Sequence, residues 1–399
     1  MNQPTSEPVP KTRAGWVRTF PATWLGLIVV GLLIGAGASL LQWLGNPTNM
    51  GLCIACFERD IAGAIGLHRF APAQYLRPEI FGILLGAFAA ALVSREYRPC
   101  GGAAPLARFA LGFFAMVGVL VFMGCPWRLL LRLGGGDGTA LAGLAGMVTG
   151  VGVGGLLFRR GYTLGRPEPA PLLTGLVVPG VATLMLALAA TGFSVGPGGA
   201  IFDSARGPGA MHAPFLVSLG AGLVLGVLLQ RSRFCTVGPI RKATGGRDLP
   251  LLSGVAAVVV GAMAVNLVVG QFQPGMAGMP MAHSDHLWNF LAMALTGLAF
   301  CLAGGCPGRQ LVLCAQGHAD AAVFILGALV GAGVAHAWFF AAGPDKVIDG
   351  AVTVGGPGLY GKIAVVIGLA FCLALGLTAR QGHSQRQSAT GAAAGCPGG

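Results

Sequence analysis

Ten apolar stretches, each near the length needed to cross a bilayer, fix the class of this chain before any single residue is considered. They lie near 24–44, 79–95, 104–124, 139–158 and 172–193, and again near 214–230, 250–272, 288–305, 320–342 and 359–379. Only 10% of the 399 residues are charged, against about 25% in soluble domains, and mean hydropathy is +0.75. The expectation is an all-α polytopic membrane protein. Its 68 glycines suit close helix packing and broken helices in a bilayer.

The formal charge of +12 would suggest nucleic acid in a soluble protein. Here the basic residues sit in short loops between apolar runs, so they read as topology signals, and no nucleic-acid partner is expected. The bilayer itself is the large partner. Lys11, Arg13, Arg18, the turn with Arg95, Arg98 and Arg108, and the Arg159-Arg160-Arg166 loop fall on one side. Arg231, Arg233, Arg241, Lys242, Arg247, Arg380 and Arg386 share that side, which places both termini in the cytoplasm of a bacterial-type inner membrane. The first apolar run lacks a convincing cleavage site and reads as a span.

An internal duplication organises the rest. Gly124-Cys125-Pro126-Trp127-Arg128 is echoed by Gly305-Cys306-Pro307-Gly308-Arg309, and Gly146, Gly150 and Gly152 are matched by Gly327, Gly331 and Gly333. Cys56, in Cys53-Ile-Ala-Cys56-Phe-Glu-Arg59, and Cys235, in Ser232-Arg233-Phe234-Cys235-Thr236, follow nearly the same offset. Five spans per half is an odd number, so the second half should lie inverted relative to the first, a plan common among transporters. The organisation expected is a cytoplasmic tail (1–22), a first membrane repeat (23–195) and an outer linker (196–213). A second inverted repeat (214–380) and a disordered cytoplasmic tail (381–399) follow. Four re-entrant cysteine loops should meet at the centre, those at Cys56 and Cys125 entering from outside and those at Cys235 and Cys306 from inside.

The loop chemistry points to an anion. A proline suits the first position of a helix, which puts Cys125 and Cys306 at the cap, beside unpaired N–H groups and the positive end of the helix dipole. Three residues after a cysteine comes Arg59, Arg128 or Arg309, on the same helix face. Arginine within a membrane segment suggests function, although Arg59 has Glu58 and Asp60 beside it to pair with. A thiol is a soft, weak donor and acceptor; several in series would hold a cargo loosely enough to pass it on. Covalent and hydrogen-bonded relays are both compatible with this pattern. The path residues expected are Cys53, Cys56, Cys125, Cys235, Cys306, Arg59, Arg128 and Arg309. No cofactor, metal or catalytic residue is assigned.

With those motifs in view, the chain resembles the YeeE/YedE family of sulfur-transport inner-membrane proteins. The likeness rests on the duplicated halves, the four cysteine loops, and residues 216–226, 230–238 and 302–309. Gly51-Leu-Cys-Ile-Ala-Cys-Phe-Glu-Arg-Asp60, His212-Ala-Pro214, Gln230-Arg-Ser-Arg-Phe-Cys-Thr236, His286-Leu-Trp-Asn289 and Gly304-Gly-Cys-Pro-Gly-Arg-Gln310 are similar to its selenium-transporting YedE-type branch. The resemblance implies uptake of a selenium species or a thiosulfate-like anion, and a soluble sulfur or selenium carrier at the inner face. Nothing in the residues separates selenium from sulfur. The expected protein is therefore a transporter or channel, not an enzyme. A membrane thiol–disulfide oxidoreductase using Cys53 and Cys56 is one alternative. A copper transporter collecting metal on Met276, Met279, Met281, His283 and His286 is another. Cys396, in the tail, is an optional cargo acceptor.

Overall fold

The computed structural model describes residues 23–191, 201–244 and 249–379. The predicted tails (1–22 and 381–399, with Cys396) and part of the linker lie outside the described residues. Fourteen α-helices are described: α1 (Trp24–Trp43), α2 (Ile54–Ala64), α3 (Pro78–Val93), α4 (Pro105–Phe122), α5 (Pro126–Gly134), α6 (Ala140–Arg159) and α7 (Leu172–Ala190), then α8 (Phe215–Ser232), α9 (Val237–Thr244), α10 (Leu252–Val268), α11 (His286–Ala303), α12 (Pro307–Ala315), α13 (Ala319–Ala337) and α14 (Leu359–Thr378). Two small antiparallel pairs, β1–β2 (Cys100–Gly101 with Glu168–Pro169) and β3–β4 (Lys346–Ile348 with Ala351–Thr353), tie down loops.

The ten apolar runs read from sequence are all helical. Eight helices are long and apolar enough to cross a membrane, and this is a multi-pass membrane protein. The other two, α3 and α10, are apolar but have 16 and 17 residues, a little under the usual spanning length. Both lose their predicted last residues to turns. The apolar face turned outward carries Leu33, Val93, Leu173 and Val268, as lipid contact requires. The segment of α11 and α12 is 83% buried and lies at the centre, whereas α7 is 17% buried and peripheral.

Between the long helices sit α2, α5, α9 and α12, of 11, 9, 8 and 9 residues. At about 1.5 Å per residue none reaches across a hydrocarbon layer of about 30 Å. The residues of α2, α5 and α12 are largely enclosed, whereas α9 buries only Val237 and Ile240; every residue of α2 is buried, including Glu58, Arg59 and Asp60.

The frame is held by helix pairs in close contact: α1 with α10, α3 with α8, α6 with α11, and α4 with both α13 and α11. Glycines set the distance. A methyl at Gly146 or Gly150 of α6 would run into the Phe290 or Ala294 carbonyl of α11; one at Gly327 or Gly331 of α13 would run into the Phe109 or Phe113 carbonyl of α4. Between helices in lipid, where apolar burial gives little driving force, such backbone approach is the main source of packing energy. Gly146→Leu and Gly327→Leu should each lower thermal stability in detergent, by about 1–3 kcal/mol of overpacking or more. Gly180→Leu on α7, which faces open space, should leave the melting temperature unchanged in the same scan.

Candidate functional site

Helices α4 and α11 end in the same four-step break. A residue in the left-handed region closes each: Met123 with φ 61 and Gly304 with φ 92. That conformation is free for glycine and costs about 1–2 kcal/mol for a side-chain-bearing residue such as Met123. A glycine follows, Gly124 or Gly305, because the arginine four residues on folds back over it; a Cβ at either would press on the Arg128 or Arg309 stem. Cys125 and Cys306 then stand at the N-caps of α5 and α12, with proline at the first helical turn. The cap position read from sequence is found at both. Cys53 is the N-cap of α2, leaving Cys56 one turn inside it.

The breaks gather five cysteines into two clusters. Cys53 Sγ lies 3.6 Å from Cys125 Sγ, and the Cys56 thiol lies within hydrogen-bonding reach of Cys53. On the other side Cys235 and Cys306 are within reach of each other, and the Gly238 N–H donates to Cys235 Sγ at 3.4 Å. Between the clusters the starts of α5, α2 and α12 touch: Gly308 has just enough room for the Trp127 ring and the Ile54 side chain. Phe234 packs edge-on against Trp127 with centroids 5.9 Å apart. Trp127 is 1% exposed and its Nε1–H has no partner among the described residues. Gln310 Oε1 is also buried without one, and the Thr236 hydroxyl stands within reach of the Cys306 thiol.

A cavity opens toward each cluster. One, of about 510 Å³, is lined by Cys56, Arg59, Met123, Arg128, Met281 and His336 among others. The other, of about 250 Å³, is lined by Arg95, Glu96, Arg98, Arg233, Arg309 and His318 among others. They lie at opposite ends of the same helices. The Arg77 cap of α3 bonds the Pro208 carbonyl at the first cavity, and Arg95, just past the other end of α3, lines the second. Likewise His318 caps the start of α13 at the second cavity, and Ala335 and His336 near its end reach the first. The first cluster meets its cavity at Cys56, and Arg233 and Arg309, neighbours of the second cluster's cysteines, line the other.

The three candidate arginines are not equivalent. Arg59 is bound to Asp60 at 2.6 Å, which also holds Arg77 at 2.8 Å, so the local pairing that the sequence offered Arg59 exists. Arg128 donates to the Met123 carbonyl at the end of α4 and to the Met281 carbonyl at 2.8 Å; Arg132 donates to the Phe122 carbonyl at 3.1 Å and to Asp137 at 2.7 Å. At the second break that work falls to Gln310, whose amide donates to the Ala303 and Gly305 carbonyls. Arg309 is thereby released: one of its terminal nitrogens is buried with no partner among the described residues, and its side chain lines the second cavity.

Elsewhere, the Met/His segment is tied down. His283 Nε2 lies 2.8 Å from the Val121 carbonyl oxygen, and Asp345 accepts from the Gly278 and Ser284 N–H groups. Among the described residues no group of three or more His, Cys, Asp or Glu stands close enough together to hold a metal ion. Compared with known proteins, the chain matches no family model and no curated sequence.

Sequence reasoning gave the cysteines and arginines but missed the Cys53–Cys125 contact, which joins residues 72 apart. It also assigned no role to Trp127, Phe234 or Thr236, although all three stand inside the quoted motifs. The unequal arginines make a prediction. Arg128→Gln should destabilise the folded protein by about 1–3 kcal/mol through orphaned buried carbonyls. Arg309→Gln should leave the detergent melting temperature within about 0.5 kcal/mol of wild type and act only on ligand affinity, measured by binding titration.

Proposed function

We propose that this protein is a membrane transporter that takes up a small inorganic anion of sulfur or selenium, unchanged, through the neck between the two cavities. One observation carries the reading: two cysteine clusters, built on broken helices, stand beside two arginine-bearing cavities found at opposite ends of the same helices. The cavity charges concentrate anions. The thiols, the Trp127 N–H and the Thr236 hydroxyl offer weak donors along the neck, which suits passage better than tight binding does. The preference for sulfur or selenium rests on the softness of thiols and on the motif resemblance to the YeeE/YedE family. The localisation we propose is a bacterial-type inner membrane with cytoplasmic termini, with a soluble carrier receiving cargo at the inner face.

The finer architecture belongs to the same proposal: two inverted repeats of five spans, with α2, α5, α9 and α12 as the four re-entrant segments. Two facts support it. Helix lengths run long, short, long, long, short, long, long in α1–α7 and again in α8–α14. The glycine contacts also exchange partners between the halves: Gly146 meets Phe290, and Gly327 meets Phe109, each residue displaced by the same offset. Cysteines introduced singly at Arg206 or Pro274 should react with an impermeant maleimide from the outer face of intact cells, and one at Lys242 should not. Labelling of all three from one face would remove the inverted plan.

The test of function is uptake of labelled thiosulfate, selenite and sulfate into proteoliposomes holding the purified chain. Uptake of thiosulfate or selenite above sulfate is expected, and loss of at least about tenfold, equivalent to some 1.4 kcal/mol, in both Cys125→Ala and Cys306→Ala. Full uptake in both variants would refute the thiol path. A second reading, thiol–disulfide exchange, is favoured by the 3.6 Å approach of Cys53 to Cys125. It requires that pair, rather than Cys53 with Cys56, to titrate reversibly with a quinone while no cargo is taken up.

A further inference from the structure

Two carboxyl groups of neighbouring residues on α2 have opposite surroundings. Asp60 is fully buried and carries two arginines, Arg59 and Arg77. Glu58 is 4% exposed and has no hydrogen-bond or ion-pair partner among the described residues, with Oε1 wholly enclosed. Glu79, the buried glutamate of α3, differs again: its Oε1 accepts from Asn46 Nδ2 and Ser218 Oγ, each at 2.9 Å. An unpaired carboxylate removed from water costs so much free energy that the group takes up a proton instead. Among the described residues nothing but a proton is placed to balance the charge of Glu58.

The helices packed on α2 do not supply a cation for it. α12 carries Arg309, which lines the second cavity, and the Cys314 thiol, which with Cys56 on α2 itself is within electrostatic reach of Glu58. The α3 cap, Arg77, is committed to Asp60 and to the Pro208 and Met211 carbonyls. α4 carries Arg108 near its far end, paired with Asp320 of α13. The other titratable group of α13, His336, is stacked on Phe70 and tilted against His68. Arg59 is the nearest cation in sequence, and both of its hydrogen-bonding nitrogens point to Asp60.

Position gives this acid a use. Glu58 is enclosed on the same short helix as Cys56 and Arg59, which line the first cavity although Glu58 itself does not. Its helix also touches α12 at the neck, where Ile54 meets Gly308. α2 and α12 carry Cys53 and Cys306 at their caps, one from each cluster. An opening between these helix starts would part α2 from α12 and admit water to the Glu58 carboxyl. We propose that Glu58 is a proton-binding site through which anion uptake is coupled to proton uptake. It takes a proton from the first cavity when the neck closes and gives it up toward the second when the neck opens, so that each cycle carries one proton inward with the anion. The carboxyl is regenerated unchanged and no bond other than O–H is made or broken. This inference rests on the transport reading and extends it to the driving ion.

Proteoliposomes loaded with a pH-sensitive dye and given labelled thiosulfate separate the two. With the membrane potential clamped at zero, acidifying the outside by about one pH unit should raise steady-state accumulation about tenfold. Adding thiosulfate alone should acidify the lumen. Glu58→Gln, a permanent stand-in for the protonated acid, should keep counterflow exchange of labelled for unlabelled thiosulfate but lose gradient-driven accumulation and lumenal acidification. Glu58→Asp should restore part of both, and size-exclusion profiles should match wild type. Wild-type uptake that ignores the pH gradient, or coupling that survives intact in Glu58→Gln, would overturn the proton site while leaving transport in place. Absence of any thiosulfate exchange by the wild type would overturn the transport reading and this inference with it.

Discussion

A helix that stops inside a membrane protein exposes backbone carbonyls to a medium that offers them nothing, and the way those carbonyls are satisfied governs this structure. No water is at hand, each unmet group is costly, and broken helices survive only where protein supplies partners. At the end of α4 the partners are guanidinium groups: Arg128 on Met123, Arg132 on Phe122. At the end of α11 the partner is the Gln310 amide. Each solution lets the chain turn through a left-handed residue and restart with a cysteine at a helix N-terminus. The thiols stand where they do because the carbonyls beside them are cared for.

The same requirement explains why buried charge is distributed unevenly. Arg132 and Asp137 form a closed pair joined by Thr139, and Asp60 closes on Arg59 and Arg77. Such pairs gain little net stability but cost about 3–5 kcal/mol to break from one side, so they lock geometry. Arg77 shows the lock at work: it clamps Asp60 of α2 to the Pro208 and Met211 carbonyls, across more than a hundred residues of chain. Groups outside these closed sets, Arg309 and Glu58, are the ones left with chemistry to offer.

Much of this was legible in the sequence, for definite reasons. The ten runs read as helices because a continuous apolar run of about twenty residues satisfies its backbone in lipid as a helix, whereas barrel strands are about half that length and alternate, and Cys-Pro suits a helix start because proline lacks the N–H that a first turn leaves idle. The pairing of Cys53 with Cys125 was not legible, since it depends on how two separate breaks meet in space. Nor was the division of labour between Arg128 and Arg309. The two motifs share Gly-Cys-Pro-x-Arg, and the residue that follows, Leu129 against Gln310, decides which side chain meets the carbonyls. Side chains chosen to fill a neck, such as Trp127 against Gly308, carry no periodic signature at all.

That one-residue difference reaches further than a local exchange of hydrogen bonds. If both breaks were capped by arginine, both guanidinium groups would be spent on carbonyls and the two vestibules would hold anions in the same manner. Because Gln310 caps the second break, Arg309 joins Arg95 and Arg98 around the smaller cavity, where Arg233 is paired with Glu96 at 3.7 Å, whereas at the larger one Arg59 and Arg128 already have partners. The two breaks are alike in backbone and unlike in the side chains that satisfy them. In the proposed transporter the uncommitted Arg309 beside the smaller cavity favours movement of an anion from the larger cavity to the smaller. The asymmetry arises from which side chain satisfies a carbonyl, not from any change in the helices that frame the path.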